Sequence, residues 1–183
     1  MSAPAPIALV GLRCVGKTSV GRELARALGL GFVDLDDAIA WADSEGCCAQ
    51  HIPTVAHVIE TLGWEGFRDL EARELARVLG SGAPLVLATG GGAVERAANR
   101  ALIRERARVV WIREELPVLR ERLARSADRP SLTGVSPVDE LDSLAAHREP
   151  LYREIAHLVL DARGADPAAL ARRIAERLAT TGA

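Results

Sequence analysis

The sequence predicts an α/β fold in which a parallel β-sheet lies between two layers of helices. Short apolar segments recur along the chain, and a stretch of helical character separates each one from the next. This alternation is typical of parallel sheets that are covered by helices on both faces. No repeat or linker divides the 183 residues, so we expect a single domain over residues 1–183.

The expected strands are the apolar segments Ile7–Val10, Gly31–Val33, Leu85–Ala88, Arg108–Ile112 and Leu158–Leu160. The expected helices lie near residues 17–28, 35–45, 67–79, 94–105, 116–125, 137–154 and 167–179. In the first helix Val20, Leu24 and Leu28 recur every four residues, and Gly29 ends the pattern. Two stretches without this period, Ser44–Pro53 and Ser126–Pro137, are expected to be loops, the second a mobile lid over about residues 126–137.

Composition argues against several classes of partner. The net charge of −2 gives no basis for nucleic-acid or membrane binding by bulk electrostatics. No apolar run approaches the roughly 20 residues of a membrane span, and residues 1–6 lack the pattern of a signal peptide. The three cysteines fit a reducing compartment, so we expect a cytoplasmic protein.

The most informative motif is a phosphate loop. Residues Gly11–Thr18 fit the pattern G-x-x-x-x-G-K-[ST] between the first strand and the first helix, and Lys17 is the only lysine of the chain. Gly11 and Gly16 allow successive N–H groups to face an anion at a helix N-terminus. Lys17 adds a charge near the β- and γ-phosphates, and Thr18 offers a hydroxyl to Mg²⁺. The motif predicts binding of a nucleoside triphosphate.

Carboxylates follow the second strand, on the edge of the sheet that also carries the phosphate loop. Alternation along an extended strand end places Asp34 and Asp36 on the same side. We expect one of them to face Mg²⁺ and the other to accept a proton from a substrate hydroxyl. Asp37 is assigned to the first turn or cap of the next helix.

Other candidates are glycines, arginines and cysteines. A tight turn after the third strand needs one glycine, so Gly90-Gly91-Gly92 indicates a ligand close to the backbone. Arg129 precedes Pro130 in the expected lid, where it could approach a transferring phosphoryl group. Cys14 is interpreted as a small residue that fits the loop. A zinc site is not favoured, because adjacent cysteines chelate poorly; its candidate ligands are Cys47, Cys48, His51 and His57.

From about Ala8 to Leu178 the chain resembles the shikimate kinase family. The resemblance is carried by five motifs in family order: Gly11–Thr18, Asp34-Leu35-Asp36, Gly66-Phe67-Arg68 with Glu71, Gly90-Gly91-Gly92, and Arg129-Pro130 followed by Arg148–Arg153. It implies a three-layer nucleoside-monophosphate-kinase fold with strand order 2-3-1-4-5, a lid, and a substrate region at about residues 35–80. It also implies a monomer that uses ATP and Mg²⁺ to phosphorylate the 3-hydroxyl of shikimate.

The resemblance also assigns roles to residues. Catalytic roles fall to Lys17, Asp36 and Arg129, and metal binding to Thr18 and Asp34. ATP is assigned to Gly11, Cys14, Val15, Gly16, Lys17, Thr18, Ser19, Arg122 and Arg129. Shikimate is assigned to Asp36, Arg68, Gly90, Gly91, Gly92 and Arg148, with Arg68 and Arg148 clamping its carboxylate as planar forks.

The chain departs from the family pattern at three places. The phosphate loop lacks an extra glycine that is common in the family, Trp64 stands where many members carry Glu, and Ser44–Pro53 is longer than usual. Two alternatives stay open: another small-metabolite kinase of the same fold, such as a gluconate kinase, and a nucleotide-binding scaffold without turnover.

Overall fold

The computed structural model describes residues 4–43, 54–125 and 140–181. Within them a five-stranded sheet has the order β2-β3-β1-β4-β5, and all neighbouring strands are parallel. The strands are β1 Ile7–Val10, β2 Gly31–Asp34, β3 Leu85–Ala88, β4 Arg108–Arg113 and β5 Leu158–Asp161. The fold class and the strand order predicted from the sequence are therefore confirmed.

Helices connect the strands and cover the sheet. They are α1 Lys17–Leu28, α2 Leu35–Asp43, α3 Val55–Gly80, α4 Ala97–Arg106, α5 Leu116–Ala124, α6 Leu141–Ile155 and α7 Pro167–Thr181. Among the described elements, α1 packs against α7 and α2 packs against α3. No helix in the described part of the chain is both long enough and apolar enough to cross a bilayer.

The core lies on both faces of the central strands. Every residue of β1 and β3 is buried, as expected for apolar segments in the middle of a parallel sheet. The edge strands β2 and β5 are only partly buried. Trp111 of β4 and Tyr152 of α6 are the largest fully buried side chains, with ring centroids 5.9 Å apart.

Helix α3 differs from the prediction because it begins twelve residues before the expected start near 67. Thr54 caps it, accepting a 3.3 Å hydrogen bond from the backbone N–H of His57. Gly63 has a left-handed φ of 70° and divides the helix, and only Val58 is buried before that break. A short first segment with one buried residue has no clear apolar period, which is why the sequence pattern did not reveal it.

Several other predicted boundaries were wrong by one to three residues. Helix α4 begins at Ala97 and not near 94, because the chain first makes turns in which Ala93 N–H donates to Gly90 and Glu95 N–H donates to Gly92. Strands β2, β4 and β5 each run one residue further than predicted, to Asp34, Arg113 and Asp161. The loop Ser44–Pro53 and the whole of the expected lid at residues 126–137, including Arg129, lie outside the described residues.

The strand order determines where the candidate site lies. Strands β2, β3 and β1 are neighbours, so their carboxyl ends share one edge of the sheet. Thr89, directly after β3, donates from both its N–H and its hydroxyl to the carbonyl of Leu9, at 3.1 and 3.0 Å. These bonds hold the glycine turn beside the start of the phosphate loop, at the edge where parallel sheets bind ligands.

Candidate active site

The phosphate loop joins β1 to α1 with an unusual backbone path. Gly11 has a φ of 146°, and a Cβ there would lie 2.4 Å from the carbonyl oxygen of Ile112, so only glycine fits. Gly16, the residue that caps α1, has a φ of 101°. Cys14 adopts a left-handed φ of 61°, a conformation that costs a non-glycine residue roughly 1–2 kcal/mol. The chain therefore keeps the curled loop without the additional glycine common in the family.

Lys17 reaches back across this loop. Its Nζ donates 2.8 Å hydrogen bonds to the carbonyl oxygens of Gly11 and Leu12, and the residue is only 9% exposed. The ammonium therefore holds the two ends of the loop together at the N-terminus of α1. The same position is suited to an anion bound by the loop amides.

Thr18 and Asp34 connect the phosphate loop to β2. The Thr18 hydroxyl donates a 2.7 Å hydrogen bond to Oδ2 of Asp34, and Oδ1 of Asp34 accepts a 3.0 Å bond from the backbone N–H of Asp36. Asp36 lies in the first turn of α2, so the argument from strand alternation was wrong. Asp34 instead caps the start of the helix and faces Thr18. The pKa of Asp37, also in that turn, is raised by burial and by the charge of Asp34, against the influence of Arg22.

Each glycine of the triple-glycine turn lies against a different group. A Cβ at Gly90 would lie 3.0 Å from Oδ1 of Asp36 and 3.1 Å from Oε1 of Glu71. A Cβ at Gly92 would lie 2.2 Å from an Arg68 nitrogen. Gly91 lies between the phosphate loop and Arg148. The turn thus brings two carboxylates, two arginines and the loop together; the resemblance had assigned Asp36, Arg68 and Arg148 to one site, but not Glu71.

Arg68 is held by an ion pair and by aromatic rings. Its Nη1 donates a 2.7 Å hydrogen bond to Oε2 of Glu71, which is 1% exposed. The guanidinium also lies over the rings of Trp64 and Phe67, at 5.7 and 5.4 Å from their centroids. Trp64, which departs from the family pattern, therefore supports a residue assigned to the substrate.

Glu71 is a buried carboxylate that the sequence analysis quoted in a motif but assigned no role. Burial raises its pKa, while the charge and the hydrogen bond of Arg68 act in the opposite direction. Among the described residues its Oε1 has no hydrogen-bond partner, although that atom points toward Gly90. Such an unsatisfied acceptor beside a glycine turn is suited to a hydroxyl donor from a ligand.

Glu95 was missed by the sequence analysis. Its Oε1 accepts a 2.8 Å hydrogen bond from Nε of Arg148 and a second bond from Nη2, and its Oε2 lies 3.8 Å from Nη2 of Arg68. It therefore bridges the two arginines assigned to the substrate. The sequence around it resembles an ordinary acidic helix start, and no local pattern would have distinguished it.

Tyr152 and Glu140, both near or on α6, also contact the site. The Tyr152 hydroxyl donates to the carbonyl of Gly91, and burial raises the pKa of this phenol. The buried carboxylate of Glu140, which caps α6, lies 3.9 Å from Nη1 of Arg13 in the phosphate loop. These contacts attach α6 to both the glycine turn and the phosphate loop.

Arg122 lies on the opposite side of the phosphate loop. Its Nη1 donates a 3.3 Å bond to the carbonyl of Cys14, and its Nη2 lies 3.3 Å from Oε2 of Glu114. That oxygen also accepts from the N–H of Gly164 at 3.0 Å, so Glu114 positions the arginine. The role of Arg122 in binding ATP stays a prediction from the resemblance.

Comparison with known proteins identifies the family. The family model described as shikimate kinase matches residues 13–179. Shikimate kinase 2 of Yersinia pseudotuberculosis is 44% identical over 158 residues, which is 85% of each chain. The chain belongs to the shikimate kinase family. It is therefore a kinase, as the sequence predicted.

Solved shikimate kinases have the same fold. The Acinetobacter baumannii shikimate kinase in complex with shikimate superposes with a TM-score of 0.88 at 34% identity, covering 98% of this chain and 96% of that one. The Bacteroides thetaiotaomicron shikimate kinase superposes with a TM-score of 0.82 at 28% identity, covering 95% of this chain and 98% of that one. The similarity to shikimate kinases thus spans nearly the whole described structure.

Proposed function

We propose that this protein transfers the γ-phosphoryl group of ATP to the 3-hydroxyl of shikimate, giving shikimate 3-phosphate and ADP. The observation that carries the proposal is the convergence of Arg68 and Arg148 on one glycine turn, with Asp36 beside it and the phosphate loop adjacent. This arrangement offers two arginine forks for a carboxylate and one carboxylate for a hydroxyl. Membership of the shikimate kinase family supports the same substrate.

Phosphoryl transfer depends mainly on positioning and on stabilisation of charge. The loop amides and Lys17 would hold the β- and γ-phosphates, with Arg122 beside the loop. Asp36 would orient the acceptor hydroxyl and accept its proton as the bond to phosphorus forms. Arg129 lies outside the described residues, and its catalytic role stays a prediction from the sequence.

Thr18 and Asp34 fit a magnesium ion. They place a hydroxyl and a carboxylate 2.7 Å apart beside the phosphate loop, and both are hard oxygen ligands. Mg²⁺ commonly uses one or two protein ligands together with substrate phosphates and water. Within the described ranges no group of three or more His, Cys, Asp or Glu side chains forms a cage, so the ion would depend on the nucleotide. When bound, it would neutralise charge on the β- and γ-phosphates.

The two alternatives have less support. A Sinorhizobium meliloti gluconokinase superposes with a TM-score of 0.55 at 20% identity, a likeness that shows the fold alone. A scaffold without turnover would have no need for Lys17, Thr18, Asp34 and Asp36 together, because these residues serve reactive phosphates and a hydroxyl.

A coupled ADP-release assay with shikimate, quinate and gluconate side by side tests the proposal. We expect shikimate to give the highest kcat/KM, and phosphorus NMR of the product to locate the phosphate on the 3-oxygen. 3-Deoxyshikimate should release no ADP above the background of Lys17→Ala. Turnover with gluconate but not with shikimate would favour the alternative kinase, and no turnover with any of the three acids would favour the scaffold.

A further inference from the structure

Glu95 occupies the position between the two arginines where the carboxylate of an acidic substrate would bind. Its Oε1 accepts two hydrogen bonds from Arg148, one of them 2.8 Å long from Nε, and its Oε2 lies 3.8 Å from Arg68. A planar carboxylate spanning two guanidinium groups makes the same type of contact that the proposed substrate requires. The protein thus provides its own carboxylate to these arginines.

We propose that Glu95 determines specificity by competing with the substrate's carboxylate for Arg68 and Arg148. The inference rests on the proposed function, because it takes the substrate to be an acid held by these arginines. An acidic substrate must displace Glu95 and then replaces its interactions. A neutral analogue has no charge with which to replace them, so Glu95 selects against it.

The burial of the three side chains favours Glu95 as the one that is displaced. The Arg148 side chain is 4% exposed and that of Arg68 is 14% exposed, whereas that of Glu95 is 32% exposed. Arg68 is further held by Glu71 and by two aromatic rings. A rotamer change is sufficient to move the Glu95 carboxylate into solvent, while its backbone N–H remains bonded to Gly92.

The charges of these four side chains balance before and after the exchange. Arg68 and Arg148 carry two positive charges, and Glu71 and Glu95 carry two negative ones. If Glu95 left without a replacement, the buried guanidinium of Arg148 would lose its partner, which is strongly unfavourable. A substrate carboxylate restores the balance, so displacement of Glu95 and binding of the acid should occur together.

Titration calorimetry with shikimate and no nucleotide provides the first test. We expect the Kd of Glu95→Gln to be about two- to fivefold lower than that of the unaltered protein, the upper part of the range for loss of a competing, partly exposed ion pair. KM for shikimate should fall by a similar factor, and KM for ATP should stay constant. Glu154→Gln is the matched control, because it removes the carboxylate of another arginine ion pair, that with Arg100. Weaker or unchanged binding in a folded Glu95→Gln protein would overturn the inference.

A second test does not depend on shikimate being the substrate. Cyclohexanecarboxylate and its neutral isostere cyclohexanecarboxamide are titrated into the unaltered protein, Glu95→Gln and Glu95→Ala, and thermal unfolding confirms that each variant is folded. We expect both variants to bind the carboxylate more tightly than the unaltered protein does, and the amide to gain as well, because it no longer has to displace Glu95. That result without shikimate turnover would reject the proposed function and retain the role of Glu95. Equal carboxylate binding in all three proteins, together with shikimate turnover, would reject the role of Glu95 and retain the proposed function.

Discussion

The hydroxyl of Thr18 donates a 2.7 Å hydrogen bond to Oδ2 of Asp34 and thereby joins the first turn of α1 to the end of β2. Two oxygen ligands from separate elements are therefore held close together before any cation binds. Preorganisation of this kind reduces the ordering that ion binding would otherwise require.

We predict that Thr18→Ala and Asp34→Asn each raise the Mg²⁺ concentration for half-maximal activity by about tenfold or more. The estimate follows from hydrogen bonds to charged groups, which contribute about 1.5–3 kcal/mol. Magnesium titrations at saturating ATP measure the effect. Thr18→Ser keeps the hydroxyl and should have a magnesium requirement close to that of the unaltered protein. An unchanged magnesium requirement in both variants would remove these residues from the metal site.

Lys17→Ala is expected to abolish turnover and also to lower the free energy of unfolding by about 2 kcal/mol. The sequence alone predicts that Lys17→Ala leaves the fold intact. In the structure, however, Nζ stabilises the loop by donating to two carbonyl oxygens, so its loss should also cost stability. Lys17→Arg should also fail, because a planar fork does not fit the same space. Urea unfolding with and without ADP measures stability. Near-normal turnover in Lys17→Ala would end the phosphate-loop hypothesis.

Asp36→Asn is expected to reduce kcat by about 10²–10⁴-fold, the usual contribution of a general base. Asparagine has nearly the same shape and still accepts one hydrogen bond, but it cannot take the proton. Asp37→Asn, one residue further along the same turn, is the control and should change kcat little. If kcat of Asp36→Asn falls less than tenfold, the role of Asp36 is limited to positioning.

Arg68→Lys and Arg148→Lys should each raise KM for shikimate about tenfold or more, with little change in KM for ATP. Lysine keeps the charge but loses the two-pronged geometry, so the substitutions test bidentate recognition. Arg100→Lys, which alters an arginine bonded to Glu154 on α6, serves as the control. Unchanged shikimate kinetics in both clamp variants would reopen the question of the substrate.

His157 is expected to make stability depend on pH. Its Nδ1 accepts a 3.0 Å hydrogen bond from the N–H of Val109, and its pKa is lowered by burial and by the charges of Arg104 and Arg108. The folded protein therefore binds fewer protons at this ring than the unfolded chain does. The contribution is complete above the unfolded pKa of about 6.5 and is lost as pH falls through the lowered folded value.

Urea unfolding between about pH 5 and 8 checks this prediction for the unaltered protein and for His157→Asn, whose Oδ1 can accept the same bond. The variant should lose less stability toward low pH than the unaltered protein. His147→Asn, at an exposed position, should keep the original slope. Equal slopes in all three proteins would contradict the prediction.

The features that could be predicted from sequence are local. The phosphate loop is formed by consecutive residues, and the buried strands are short apolar runs. The positions of these elements in the chain, and the sheet edge that carries the loop, could therefore be predicted. The alternation argument for Asp34 and Asp36 was wrong, because helix α2 begins at Leu35, directly after Asp34, and Asp36 lies in its first turn. Glu95 could not be found at all, because its partner Arg148 is 53 residues away in the chain and only the fold brings them together.

Helix α6 carries the Arg148 side chain, and the residue that caps it, Glu140, lies near Arg13 of the phosphate loop. Eight helical residues span about 12 Å, and a helix of this length behaves as a stiff rod. A tilt of α6 that adjusts the arginine proposed to bind the acid therefore also displaces a carboxylate beside the phosphate loop. The two binding sites are thus connected through one helix. If binding of one substrate changes the affinity for the other, the second substrate must change the affinity for the first by the same factor.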